Sequence, residues 1–184
     1  MQPSANQLGG TALKRLNRTW RRRATMRVAL MLQDVESPFN VGAIVRSAAV
    51  LGVDHLYLIG RSADPSTPKA QKLAMGTDRY LQVRGCATIR EAVDAAHDDG
   101  YHVVGLELTH TSKPLHELDL RRDVCVAVGN EARGMSIEMI AACDALGYIP
   151  QLGKVGSFNV ASAVTIAAYE VRRQEWAGAE NRTP

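Results

Sequence analysis

Three short segments of this 184-residue chain hold more glycine and polar side chains than simple turns require. The first is Asn40-Val-Gly-Ala-Ile-Val-Arg46-Ser, the second Val128-Gly-Asn-Glu131-Ala-Arg-Gly-Met-Ser136, and the third Ile149-Pro-Gln-Leu-Gly-Lys-Val-Gly-Ser157-Phe-Asn159-Val. Arg46 is either an exposed solubilising charge or a guanidinium fork aimed at an anion. Glu131 is either a site carboxylate, a helix-start carboxylate or a partner for Arg133. Ser157 and Asn159 suit a site, and they equally suit the N-cap of a helix. Each residue alone is ambiguous; the order and spacing of the three segments carry the information.

Familiar catalytic and phosphate-binding signatures are absent. No G-x-G-x-x-G follows the first strand, no G-x-x-x-x-G-K-[ST] occurs, and no G-x-S-x-G elbow is present. These absences weigh against nicotinamide, nucleoside triphosphate and serine-hydrolase chemistry. Cys86, Cys125 and Cys143 are widely spaced, with no Cys-x-x-Cys pair, so each is expected as a reduced, buried thiol. His110 and His116 lack neighbouring ligands at metal-binding spacing, and no metal is expected.

The segments must be positioned by the elements around them. Val28-Ala-Leu-Met-Leu32 is a continuous apolar run, as expected of a strand buried on both faces. Pro38 interrupts regular structure, Asn40 is a good helix N-cap, and Val41, Ile44, Val45, Ala48 and Ala49 form an apolar stripe closed by Gly52. Strands are then expected at His55–Ile59, Tyr80–Val83, Val103–Leu106, Val124–Val128 and Ala145–Ile149. Helices are expected at Pro68–Met75, Thr88–His97, from Ser136 to about Cys143, and at Ala161–Trp176. This alternation predicts one α/β domain, a doubly wound and mainly parallel sheet with helices on both faces. Ligands bind such sheets beyond the carboxyl ends of the strands, where all three segments fall.

Charge is informative once divided. Residues 1–27 contain seven basic residues and no acidic one, leaving 15 basic against 19 acidic residues in the remainder. The net +3 therefore hides a basic arm on a mildly acidic body, which suggests a polyanionic partner. Leu8, Ala12, Leu16 and Trp20 recur every four residues, so the arm is expected to be an amphipathic helix. Residues 1–27 read as this arm, 28–176 as the α/β domain and 177–184 as a disordered tail. No apolar run reaches membrane-spanning length and no secretory signal is evident, giving a cytoplasmic expectation with no membrane partner.

The three segments resemble the signature motifs of the SpoU/TrmH branch of the SPOUT RNA methyltransferases. Asn40, Gly42 and Arg46 match the first motif, and Gly129, Glu131, Gly134 and Ser136 the second. Ile149, Pro150, Gly153, Ser157, Asn159 and Val160 match the third. The likeness covers about Val28 to Trp176. Two mild departures are Ala132, where glycine is common, and Phe158, where leucine is usual. The resemblance implies a C-terminal deep trefoil knot, which no pattern argument could reach. It also implies S-adenosylmethionine as cofactor, a homodimer with the acceptor site shared across its interface, and no metal.

The resemblance implies that Arg46, Asn40, Glu131, Ser157 and Asn159 are catalytic. It places S-adenosylmethionine among Leu106, Glu107, Leu108, Gly129, Ile149, Leu152, Ser157 and Phe158. RNA contacts fall to Lys14, Arg15, Arg18, Arg21, Arg22, Arg23 and Arg46. The expected reaction is 2′-O-ribose methylation of RNA, with tRNA favoured and rRNA the alternative. A knotted RNA-binding protein without catalysis, or an unrelated α/β nucleotide-binding module, are the readings of other classes. A guanidinium has a pKa above ~12, and a nearby phosphate raises it further. Arg46 is therefore expected to clamp a phosphate and orient the hydroxyl, while the proton leaves late or through water.

Overall fold

A computed structural model describes residues 7–180, and the side chains of residues 7–178. Seven strands form one sheet: β1 Val28–Gln33, β2 His55–Ile59, β3 Gln82–Cys86, β4 His102–Leu106, β5 Lys113–Pro114, β6 Val124–Val128 and β7 Ala145–Tyr148. Their order across the sheet is β3-β2-β1-β6-β4-β7-β5, and every pairing is parallel. The helices are α1 Gly10–Arg23, α2 Pro38–Leu51, α3 Pro68–Ala74, α4 Ile89–Asp98, α5 Ile137–Ala142 and α6 Val160–Glu180. The expected mainly parallel α/β sheet is present.

β1 is central, and all six of its residues are buried. Val28, Leu30 and Leu32 face the core under α2 and α6, whereas Ala29 and Met31 face the core under α4 and α5. A strand with helices on both sides needs apolar residues at every position, which explains the unbroken run. α2 packs against both α3 and α6 on the first face. There Gly42 is required by contact: a Cβ would stand 2.3 Å from the Ala70 carbonyl oxygen.

Several boundaries differ from the sequence expectation. The third strand is Gln82–Cys86, and Tyr80 instead ends a 3-10 turn. Four of that strand's five residues are exposed, so its edge position left little apolar signal. The two-residue strand β5 has no periodicity to read. Asn40 is not the N-cap of α2: Pro38 opens the helix and Ser37 caps it, its hydroxyl accepting from Asn40 N at 3.4 Å. Proline is well placed at a helix's first position because its missing N–H would have had no partner there. Leu8 precedes α1, so the stripe of that helix is Leu13, Leu16 and Trp20. α6 continues past Trp176 to Glu180, and residues 181–184 of the expected tail lie outside the described residues.

β1 leads through α2 toward β2 on one side of the sheet, while β6 leads through α5 toward β7 on the other. Adjacent β1 and β6 therefore diverge at their carboxyl ends. This is the crevice where open α/β sheets bind ligands.

Candidate active site

The crevice is walled by four pieces of chain: the start of α2, the turn after β6, the end of β4, and the segment between β7 and α6. Because Ser37 caps α2, the Asn40 side chain is free to work elsewhere. Its Nδ2 donates to Glu131 Oε1 at 2.9 Å, and its Oδ1 accepts from Asn159 Nδ2 at 3.0 Å. Asn159 Oδ1 in turn accepts from Ala161 N at 2.9 Å and Ser162 N at 3.4 Å, capping α6. The capping reading of Asn159 and its place in the site are thus both true. Asn40, Glu131 and Asn159 come together from three distant parts of the chain.

The turn bearing Glu131 is held from several sides. Asn130 Oδ1 accepts from Ala132 N at 3.0 Å and Arg133 N at 3.1 Å, and its Nδ2 donates to Asp34 O at 2.8 Å. Asp34 itself takes a left-handed φ of 54° at the end of β1. Glu107 Oε2 accepts from Met135 N at 2.8 Å, and Gln33 Oε1 accepts from Ser136 N at 3.0 Å. Gly129 lies so close to the returning turn that a Cβ would stand 2.3 Å from Gly134 C and O and from Met135 N. Ala132 has no positive φ and is accommodated without strain. Glu131 does not pair with Arg133; the latter donates to Glu36 at 3.4 Å.

A cavity of about 480 Å³ opens between this turn, the β4 end and the 148–158 segment. Leu106, Glu107, Leu108, Gly129, Ile149, Ser157 and Phe158 all line it, as does Glu131. Leu152 does not: it is fully exposed, because the segment carrying it bows outward into solvent. A second, open hollow of about 630 Å³ lies on the other side of Glu131, lined by Asn40, Glu36, Arg61 and Arg133. The 130–133 turn separates the two spaces. Arg61 and Arg133 both reach Glu36, at 2.8 and 3.4 Å.

Arg46 is not brought to either space. Six helical residues separate it from Asn40, about 9 Å along the axis and about 240° around it. It is exposed on the outer face of α2, with its guanidinium against the Met75 sulfur. Lys14, Arg15, Arg18, Arg21, Arg22 and Arg23 all lie on α1, away from the crevice. The three cysteines are free, and burial pushes the Cys143 thiol up to about 12. Among the described residues no group of three potential ligands could hold a metal, and no helix is long and apolar enough to cross a membrane.

Sequence reasoning missed Asn130 and Gln33. Both had a signal: Gln33 is the polar end of an otherwise apolar strand, and Asn130 follows a strand-end glycine where asparagine commonly bonds to backbone N–H groups.

Residues 27–169 match the SpoU rRNA Methylase family. The chain is 30% identical over 147 residues to the tRNA (guanosine(18)-2′-O)-methyltransferase of Escherichia coli K12, covering 80% of this chain and 63% of that protein. It is 31% identical over 159 residues to the 23S rRNA (guanosine-2′-O-)-methyltransferase RlmB of Coxiella burnetii, covering 86% and 63%. The chain thus spans less than two thirds of these curated relatives. Among solved structures, the AdoMet-bound rRNA methyltransferase of Sinorhizobium meliloti superposes with a TM-score of 0.74 at 27% identity, over 81% of this chain and 56% of that one. A structure concerned with 2-OH methylation of C/U34 on tRNA gives 0.73 at 30% identity, over 82% of this chain and 97% of that one.

Proposed function

The chain belongs to the SpoU rRNA Methylase family, and from that premise we propose that it transfers a methyl group from S-adenosylmethionine to a ribose 2′-hydroxyl of RNA. The observation that carries this reading is the hydrogen-bonded set Glu131–Asn40–Asn159, whose Glu131 lines both the 480 Å³ cavity and the hollow beside it. Transfer RNA is the favoured substrate. In support, a solved chain of nearly the same extent concerns tRNA, although the curated relatives include enzymes for both tRNA and rRNA.

The cavity fits S-adenosylmethionine by size and by wall chemistry. Its volume lies within the ~300–1,000 Å³ usual for small-ligand sites. Leu106, Ile149 and Phe158 give it apolar walls, backbone surrounds it at Gly129 and Gly134, and Glu107 supplies the negative charge suited to a cationic ligand. When bound there, the cofactor supplies a methyl group that its positive sulfur already activates for transfer.

The remaining work falls to the protein's own residues. The Asn40 amide is committed at both ends, so Glu131 and Asn159 fix its plane. The second carboxylate oxygen of Glu131 remains available to accept from a substrate hydroxyl. Ser157 lines the cavity beside them. These groups orient the hydroxyl, and orientation alone supplies a large share of the rate in such reactions.

Arg46 completes the set if two copies of the chain associate. It shares the outer face of α2 with Phe39, Ala43 and Val50, and neighbouring α6 exposes Ile166 and Tyr169. Exposed apolar residues on two packed helices support a homodimer through this face. Arg46 is then a group that one protomer lends to the other's cavity, where it clamps the RNA phosphate. The family resemblance further supports a trefoil knot formed where residues 149–159 pass beside the β4 end and the 129–134 turn before entering α6.

The test is to incubate the full chain with total tRNA and methyl-labelled cofactor, then to identify the labelled nucleoside by mass spectrometry. A 2′-O-methylnucleoside is expected, with cofactor binding visible by calorimetry. A labelled base, or RNA binding with no cofactor binding, would overturn the proposal.

A further inference from the structure

Of the arginines in the body of the protein, six are paired with carboxylates: Arg27, Arg61, Arg121, Arg133, Arg172 and Arg173. Among the described residues the cations of α1 all lack such a partner, as do Arg46, Arg79, Arg84, Arg90 and Arg122 in the body, but only those of α1 are gathered on one helix. Lys14, Arg15, Arg18, Arg21, Arg22 and Arg23 occupy a helix with no acidic residue, and none of them makes an ion pair among the described residues. At about 100° per residue, Lys14, Arg15, Arg18, Arg21 and Arg22 fall within an arc of roughly 120°. Leu13, Leu16 and Trp20 occupy the opposite side. Five unneutralised cations therefore share one face, along about 12 Å of helix axis.

The body meets this helix on the side opposite its basic face, at Trp20. Trp20 packs on Trp176 of α6, ring centroids 5.1 Å apart, and Trp176 meets Tyr169 edge-on at 5.9 Å. Arg23 lies over the Trp20 ring at 4.8 Å. The root of the helix is held as well. The Glu175 carboxylate accepts from Thr25 N at 2.5 Å and Met26 N at 2.7 Å, and Arg172 donates to Met26 O at 2.7 Å. α1 is exposed along its length and meets the body at its C-terminal end, through Trp20 and the residues that follow the helix. Along α6, Trp176 lies sixteen residues from Val160, about 24 Å from the end that carries Asn159.

We propose that the basic face of α1 is a second RNA-binding site, which grips the sugar-phosphate backbone at a distance from the nucleotide being methylated. The inference rests on the RNA reading above and extends it: the substrate is held at two points, one reading geometry at the cavity and one reading charge on the arm. Phosphate contacts of this kind position the nucleic acid without reading its sequence. RNA is favoured over an anionic membrane because the same chain's crevice already calls for RNA and because Trp20, the largest apolar residue of the helix, is engaged by α6.

The test compares the full chain with R15Q/R18Q/R22Q, whose altered side chains are all exposed, and with W20A, which keeps the charges and removes the contact with Trp176. Filter binding uses full-length tRNA and a short hairpin containing only the modified loop, and methyl transfer is measured on both. For full-length tRNA the triple variant is expected to bind at least tenfold more weakly, with kcat unchanged. Its slope of log affinity against log salt should fall by about 2, since each lost phosphate contact removes ~0.7–0.9. The short hairpin should show the same affinity for both proteins, and W20A should lie between them on full-length tRNA. Unchanged tRNA affinity would overturn the proposal, as would an equal loss on both RNAs. So would a triple variant that loses only its binding to vesicles of anionic phospholipid. If the wild type binds RNA through the arm but transfers no methyl group, the arm stands and the proposed activity falls.

Discussion

Asn159 Nδ2 donates to Asn40 Oδ1 at 3.0 Å, joining residues 119 positions apart in the crevice between the start of α2 and the start of α6. The same side chain caps α6 through its oxygen. Its two ends therefore do separable jobs, and substitution can divide them. Asn159→Asp keeps the capping oxygen and favours the helix N-terminus electrostatically. It also sets a carboxylate against Asn40 Oδ1, and turning the Asn40 amide over would set its oxygen against Glu131 instead. Urea unfolding should show stability within about 0.5 kcal/mol of wild type, while methyl transfer falls at least tenfold. Asn159→Ala should lose activity and also about 1 kcal/mol of stability.

Arg46 faces outward in the protomer, so the proposed catalytic role for it requires the proposed dimer. Arg46→Ala and Asn40→Ala should each be inactive as pure proteins. Co-expressed, they should form mixed dimers with one intact composite site. Random pairing makes half the dimers mixed, each with one site of two, so about a quarter of wild-type activity should return. A mixture with no activity would place Arg46 in its own protomer's chemistry or in none. Cofactor affinity, read by calorimetry, should be unchanged in Arg46→Ala.

Gly129 has no room for a side chain. In Gly129→Ala the new methyl meets the Gly134 and Met135 backbone at 2.3 Å, so the turn must move away from the β4 end. The Met135–Glu107 hydrogen bond sits at that junction. Cofactor binding should weaken at least tenfold by calorimetry, with a stability loss of about 1–3 kcal/mol from overpacking.

Cys143 offers a test of burial through pH. Burial is the main cause that raises its pKa from 9.0 to about 12, and the neighbouring Asp144 carboxylate adds to the rise. The folded protein therefore keeps this proton longer than the unfolded chain does. This contribution to stability is constant below about pH 9 and is lost as pH rises toward about 12. Cys143→Ala should show a shallower alkaline loss of stability in urea titrations. In the native wild type, alkylation of Cys143 at pH 8 should be much slower than alkylation of the unfolded chain.

Much of the fold was legible because apolar patterning reports burial directly. β1, β6 and β4 are continuous apolar runs with helices on both sides, and they were found where the sequence put them. β3 was displaced because an edge strand with four exposed residues carries little of that pattern. The site was legible as motifs but not as geometry. Asn40 read as a helix cap, because an asparagine two residues after a proline satisfies the same local rule whether its side chain turns to the helix or across the crevice. Only tertiary contact with Glu131 and Asn159 decides. The exposure of Leu152 was equally out of reach, since a glycine-rich segment such as 149–159 leaves the direction of each side chain to its surroundings.

The helix that begins at Asn159 also closes the opposite end of the domain. Arg172 donates to Leu51 O, Gly52 O and Met26 O, and Glu175 accepts from Thr25 N and Met26 N; both side chains are buried. Ribosomes deliver α6 only after every strand has been made. Until it docks, those carbonyls and amides lack their partners and Asn40 lacks its neighbour. A nascent chain interrupted before Arg172 therefore has neither a finished floor nor a finished mouth. The cell should find either whole protein or degradable fragments, with no half-finished species between them.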